Sequence, residues 1–182
     1  MIPRAVLDAN VLAAEVVRDF ILSLAEQDCL SPLWSLELGL ELRRALVRMK
    51  VAPVVADKIW QLLNEAFPFA IDTELGVSDS NLGIRDPQDL HVAQIAFHAD
   101  FLVTFNVRDF PSRIGTARLV HPDEFTLECV MLQPERALRA IDTMCARRTR
   151  SMPSRIQLIE ALAQNRLTAT AEHLSRLGGQ YS

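Results

Sequence analysis

Long apolar runs are missing from this 182-residue chain. None approaches the roughly 18 residues that a bilayer-spanning helix needs, so no membrane segment is expected. Asp8, Glu15 and Asp19 interrupt the N-terminal region where a secretory signal would need an apolar core. Cysteine is scarce: Cys29, Cys129 and Cys145 are odd in number and far apart. That spacing suits reduced core thiols rather than a disulfide framework or a zinc site, and a cytoplasmic address is the expectation. The four histidines show no metal-ligand spacing. Ser and Cys nucleophile motifs are lacking, as are glycine-rich phosphate loops, internal repeats and low-complexity tracts. What remains to carry chemistry is the acids.

Those acids are unevenly spread. Residues 1–133 hold 11 basic and 19 acidic side chains, whereas residues 134–182 hold 8 basic and 4 acidic. An acidic first part needs a reason for concentrating carboxylates, and a basic tail either meets a polyanion or is a solvated helical surface. The length allows one full core with a small helical appendage, divided here as 1–122 and 123–182.

The pattern along the chain alternates strands with helices. "IPRAVLDA" reads as a strand ending near Asp8, followed by an amphipathic helix from about Val11 to Gln27. Ser31-Pro32 reads as a turn, and a helix runs from Ser35 to about Met49. Pro53 opens another helix, which Pro68 stops. "FAID" is a possible strand and "GVSDSNLGIRDP" a loop. A helix over Pro87–Ala99 leads into a strand "FLVTF", a turn around "NVRDFP" and a strand "ARLVH"; beyond "HPDEF" the pattern is helical. Such alternation implies an α/β fold with a parallel, doubly wound sheet covered on both faces.

In such sheets ligands bind outside the carboxyl ends of the strands. Asp8 falls at one such end, and Asn106 and Asp109 follow another. On the helix from Pro87, at about 100° per residue, Leu90, Val92, Ala93, Ala96 and Phe97 form an apolar face. Asp89 falls in the middle of that face, while His91, Gln94 and His98 lie opposite. Asp86 is explained as a helix cap; Asp89, directed toward a core, is not, because a buried lone carboxylate is costly. On the helix from Ser35, Glu41 lies nearest the apolar stripe, Glu37 is turned toward solvent, and Arg44 and Arg48 share their flank. Mid-helix Gly39 suggests a close backbone approach. Converging carboxylates repel, by about 4 kcal/mol for two charges 4 Å apart at an effective dielectric near 20. A divalent cation relieves this, and all-oxygen ligation suits Mg²⁺ or Mn²⁺.

"VLDANVL", "ELRRAL" from Glu41, "DPQDLHVAQIA" and "LVTFNVRDFP", in that order, resemble the PIN-domain ribonucleases, especially their VapC-like toxin branch. The resemblance covers about residues 4 to 121. It implies a PIN-like α/β/α sandwich with a central parallel sheet, here followed by C-terminal helices. It further implies a cluster of acids binding Mg²⁺ or Mn²⁺, RNA cleavage, a homodimer and a cognate antitoxin. Carried over by motif, the catalytic acids are Asp8, Glu41 and Asp89, with Asp8 and Asp89 on the metal. Asn106 stands where the family often has a fourth acid, which leaves that place to Asn106 or to Asp109. Asn10, Thr104 and Asn106 are expected near substrate. Arg147, Arg148 and Arg150, within "RRTRSMPSR", either contact RNA phosphates or belong to a linker. Two rival readings are a PIN-like module that binds RNA or a partner without cutting, and a haloacid-dehalogenase-type phosphatase with Asp8 as nucleophile. The latter lacks its second acid, since position 10 is Asn.

Overall fold

The structure, a computed structural model, describes residues 1–72, 84, 89–148 and 154–178. Strand β1, Arg4–Leu7, has Ala5, Val6 and Leu7 wholly buried, as expected of a strand covered on both faces. It pairs in parallel with β2, Ser31–Leu33, on one side and β3, Phe101–Val103, on the other. Strand β5, Ala117–Val120, continues in parallel beyond β3. The two-residue β4, Arg113–Ile114, closes that edge antiparallel to β5, giving the order β2-β1-β3-β5-β4. This is the α/β sheet anticipated from the alternation, with one antiparallel strand added at the rim. Ser31-Pro32, read as a turn, belongs to β2; Pro32 is tolerated because β2 lies at the sheet edge.

The helix expected from Val11 to Gln27 is two helices, α1 (Ala9–Ala13) and α2 (Glu15–Glu26), separated by Ala14 in an extended conformation (φ −78°, ψ 95°). Helix α3, Leu36–Arg48, starts where Ser35 Oγ accepts the Leu38 N–H at 3.0 Å, an N-cap of the preferred type. Its Leu38, Leu42 and Leu46 are buried. Helix α4, Pro53–Ala66, packs on α3. Gly39 permits the contact: a Cβ there would meet Trp60 Cε2 at 2.5 Å. Helix α5 spans Leu90–Ala96. Asp86 and most of the loop before it lie outside the described residues, and Ile71 of "FAID" makes a single parallel bridge with Trp34.

The chain forms two compact units, one of Pro3–Ala13 with Ser31–His121, the other of Ala14–Leu30 with Pro122–Ser182. The first holds the sheet with α1, α3, α4 and α5. The second is helical: α2 packs with α6 (Pro122–Leu132), α7 (Pro134–Arg147) and α8 (Arg155–Gln164), and α9 (Thr168–Gly178) packs on α6 and α8. Among the described residues no helix is long and apolar enough to cross a membrane. Cys29, Cys129 and Cys145 are unbonded thiols; burial pushes Cys129 up to about 12, which keeps it protonated.

Candidate active site

Leu7 and Val103 are partners in the parallel pairing of β1 with β3, so the residues that follow them, Asp8 and Thr104, emerge side by side at the carboxyl edge. The Asp8 N–H donates to Val103 O at 3.1 Å, and the Thr104 N–H to Val120 O at 3.1 Å. Thr104 Oγ1 and Asn10 Nδ2 each donate to Asp8 Oδ2 at 2.6 Å. Asn10 Nδ2 also reaches Thr104 Oγ1 at 3.0 Å, and its Oδ1 accepts the Phe105 N–H at 3.1 Å. The Asn106 N–H completes the set by donating to Thr104 Oγ1 at 3.0 Å. Thr104 is fully buried and its hydroxyl makes three hydrogen bonds, the full capacity of that group. Asn10 and Thr104, expected near substrate, are therefore engaged in fixing the Asp8 carboxylate, which only 8% exposure leaves almost dry.

Glu41 from α3 and Asp89 from the start of α5 face the same cavity of about 230 Å³, with Asn106 and Arg44 also on its wall. Burial raises the Asp8 carboxyl above the usual range, against the hydrogen bond from Thr104 and those from the Ala9 and Asn10 backbones. Burial likewise raises Glu41. The charges of Asp8 and Asp89 push it the same way, while His91 and Arg44 oppose them. Glu41 thus feels both of the other acids across a single cavity. Glu37, one turn earlier, is exposed and lies outside that wall.

His91 departs from the expectation. Sequence phase placed it opposite Asp89; instead its Nε2 lies 3.6 Å from Glu41 Oε2, and its side chain is only 13% exposed. The reason is local. The phase assumed a regular helix from Pro87, whereas α5 begins at Leu90, and Asp89 caps it with φ −85° and ψ 0°. The angle between positions 89 and 91 is therefore not that of an α-helix. A histidine two residues after a cap acid was the available signal.

Of the two candidates for the fourth place, Asn106 lines the cavity and Asp109 does not; the Asp109 N–H donates to Asn106 O at 3.0 Å. In the helical unit Arg147 Nη1 donates to both Glu26 carboxylate oxygens at 2.9 Å. Arg148 pairs with Asp19 and, at 2.9 Å, with Glu15. Arg155 pairs with Asp142 at 2.7 Å through two nitrogens. Arg150 lies outside the described residues.

Among the described residues no group of three or more His, Cys, Asp or Glu side chains is placed to hold a metal ion. The donor set nevertheless fits a hard divalent cation. Mg²⁺ keeps several waters and uses one or two carboxylates; Asp8 and Asp89 are the two that would serve, and burial, the main cause of the raised proton affinities of Asp8 and Glu41, makes their charged forms costly without a cation. The sequence profile of the PIN domain matches residues 4–108, more than half of the chain. That of the VapC50 C-terminal domain matches residues 122–176. No curated protein and no solved structure matches the chain.

Proposed function

Because the chain belongs to the PIN-domain family, as a VapC-like member with a C-terminal extension, we propose that it is a metal-dependent endoribonuclease and the toxin of a type II toxin–antitoxin pair. The observation that carries this reading is the convergence of Asp8, Glu41 and Asp89 on one cavity. Asp8 and Asp89 would hold Mg²⁺ or Mn²⁺. When bound, the ion polarises the phosphoryl oxygen and lowers the pKa of a water. Thr104 and Asn10 keep the Asp8 carboxylate in one orientation, so no reorganisation is needed at the moment of reaction. Glu41, with its raised proton affinity, accepts the proton that the attacking water loses, and the nearby His91 Nε2 steadies that side chain. Asn106, through its amide, takes the fourth place, and Asp109 supports the turn behind it. Water oxygen joins phosphorus as one ester P–O bond breaks, the departing oxygen takes a proton from solvent water, and Glu41 returns the proton it accepted to solvent.

The protein would act in the cytoplasm as a homodimer, held in check by a cognate antitoxin covering the acidic cavity. Contact of Arg147, Arg148 and Arg150 with RNA is less well supported, since Arg147 and Arg148 would have to release Glu26, Asp19 and Glu15. The phosphatase reading is disfavoured because the amide of Asn10, where a second acid would stand, is already bonded to Asp8, Thr104 and the Phe105 backbone.

Purified protein incubated with total RNA and Mg²⁺ or Mn²⁺, followed by sequencing of the new ends, tests the nuclease. Discrete ends that disappear with chelator are expected. RNA that is bound yet uncut under every condition would favour the non-catalytic module. Growth arrest on expression, relieved by a small adjacent reading frame, tests the toxin role separately.

A further inference from the structure

An acidic cavity is a poor place for a polyanion to dock. Cations that admit a phosphate backbone have to stand beside the carboxylates, and they have to be available rather than committed to neighbouring acids. Helix α3 meets both conditions. Arg44 follows Glu41 by three residues and Arg48 follows Arg44 by four, which puts all three on one face. Both arginines line the same cavity as Asp8 and Asp89, and both are exposed. Among the described residues neither makes an ion pair or side-chain hydrogen bond. Their neighbour Arg43 is bound to Asp57 at 2.5 Å, and Arg147, Arg148 and Arg155 are all held by carboxylates. Arg44 and Arg48 are one helical turn apart, about 6 Å along the axis, so they address two points on a passing strand.

We propose that Arg44 and Arg48 form the phosphate-binding wall of the cavity, guiding single-stranded RNA along α3 with Arg44 beside the phosphate to be cut and Arg48 beside a neighbouring one. This rests on the ribonuclease reading and adds to it the path of the substrate. Guanidinium forks suit phosphate oxygens, and the contacts are to backbone, so they set position and not sequence. The pair also explains how an acidic part of the chain can receive RNA without help from the basic tail.

Binding of a fluorescent single-stranded RNA, followed by anisotropy over a range of salt, tests this. Ca²⁺ replaces Mg²⁺ to neutralise the carboxylates, and cleavage of the same RNA in Mg²⁺ is followed in parallel. Each phosphate contact on a single strand contributes about 0.7 to the log–log salt slope. Arg44→Ala with Arg48→Ala should lower the slope by about 1.4 and weaken binding roughly tenfold or more at moderate salt. Arg43→Ala removes the same charge from the same helix and should leave the slope unchanged. A double variant with the wild-type slope, or an Arg43→Ala variant that loses as much per charge, would overturn the proposal while leaving the nuclease reading intact. Wild-type protein that neither binds nor cuts RNA would overturn both.

Discussion

The sheet-edge cavity and the helical unit both gather charged side chains, but they treat them oppositely. Around α2 and α7, arginine meets carboxylate directly: Arg147 with Glu26, Arg148 with Asp19 and Glu15, and Arg155 with Asp142 at the start of α8. In the cavity Asp8 is held by the neutral donors Thr104 and Asn10. The consequence shows in two residues of the same type. The hydrogen bonds from Arg155 hold Asp142 below the usual carboxylate range, whereas burial lifts Asp8 above it. Acids of the helical unit meet arginine directly, whereas Asp8 in the cavity is held by neutral donors alone. That separates a structural use of acids from a chemical one.

Breaking the contrast on the cavity side should have the largest effect. Asp89→Asn is expected to lower metal-dependent RNA cleavage by roughly 10²-fold or more, comparable with losing one preorganised electrostatic group. Initial rates on a defined RNA, with circular dichroism to verify folding, check this. Wild-type rates would remove Asp89 from the site. Next in size, Glu41→Gln should cost at least about tenfold if its carboxylate takes up the proton, and Glu37→Gln should be nearly silent. Equal effects in the two variants would mean that the cavity wall does not distinguish them.

On the helical side the expected loss is in stability, not activity. Arg148 is only 14% exposed and serves two acids. Arg148→Ala should therefore cost about 1–3 kcal/mol, between the values for exposed and buried pairs. Arg147, at 59% exposure, should cost less than about 1 kcal/mol. Chemical denaturation of both variants measures this, and the reverse order would contradict the pairing.

The smallest effect is a pH dependence of opposite sign in the two regions. Asp8 and Glu41 bind protons more tightly when folded than when unfolded. Their contribution to stability is complete below the ordinary values of 3.8 and 4.5, and is lost as pH rises through the elevated folded values. Asp142 does the reverse: its contribution is present above 3.8 and is lost as pH falls through its lowered folded value. Metal-free wild type should thus lose stability relative to Asp8→Asn as pH rises above the ordinary carboxyl value of 3.8, and Mg²⁺ should narrow the gap. A difference between the two proteins that does not vary with pH would contradict the burial of Asp8.

The sequence pattern carried much of this. Asp8 after an apolar strand, Glu41 against the seam of α3 and Asp89 before α5 were legible because each breaks a local rule that its neighbours obey. What was illegible was set by tertiary contact or by short elements. Strand β2 has three residues, one of them proline, and β4 has two, so neither shows periodicity. Ala14 interrupts the first helix without glycine or proline to signal it. Asn10 and Thr104 are 94 residues apart, and their grip on Asp8 exists only once β1 and β3 pair. His91 was misplaced because a helix phase was projected through a cap. The arginines of the tail looked available until their acids on α2, more than 100 residues earlier in the chain, were brought beside them.

The most direct measurement is RNA cleavage and thermal stability together for Asp8→Asn, with Mg²⁺ and with chelator. An amide at position 8 retains an acceptor oxygen for Thr104 and Asn10 but removes the buried charge. The expected result is at least a roughly 10²-fold loss of Mg²⁺-dependent cleavage, with the melting temperature in chelator equal to wild type or higher. Undiminished cleavage in a folded variant would contradict it, and so would a large drop in melting temperature that makes Asp8 a structural residue.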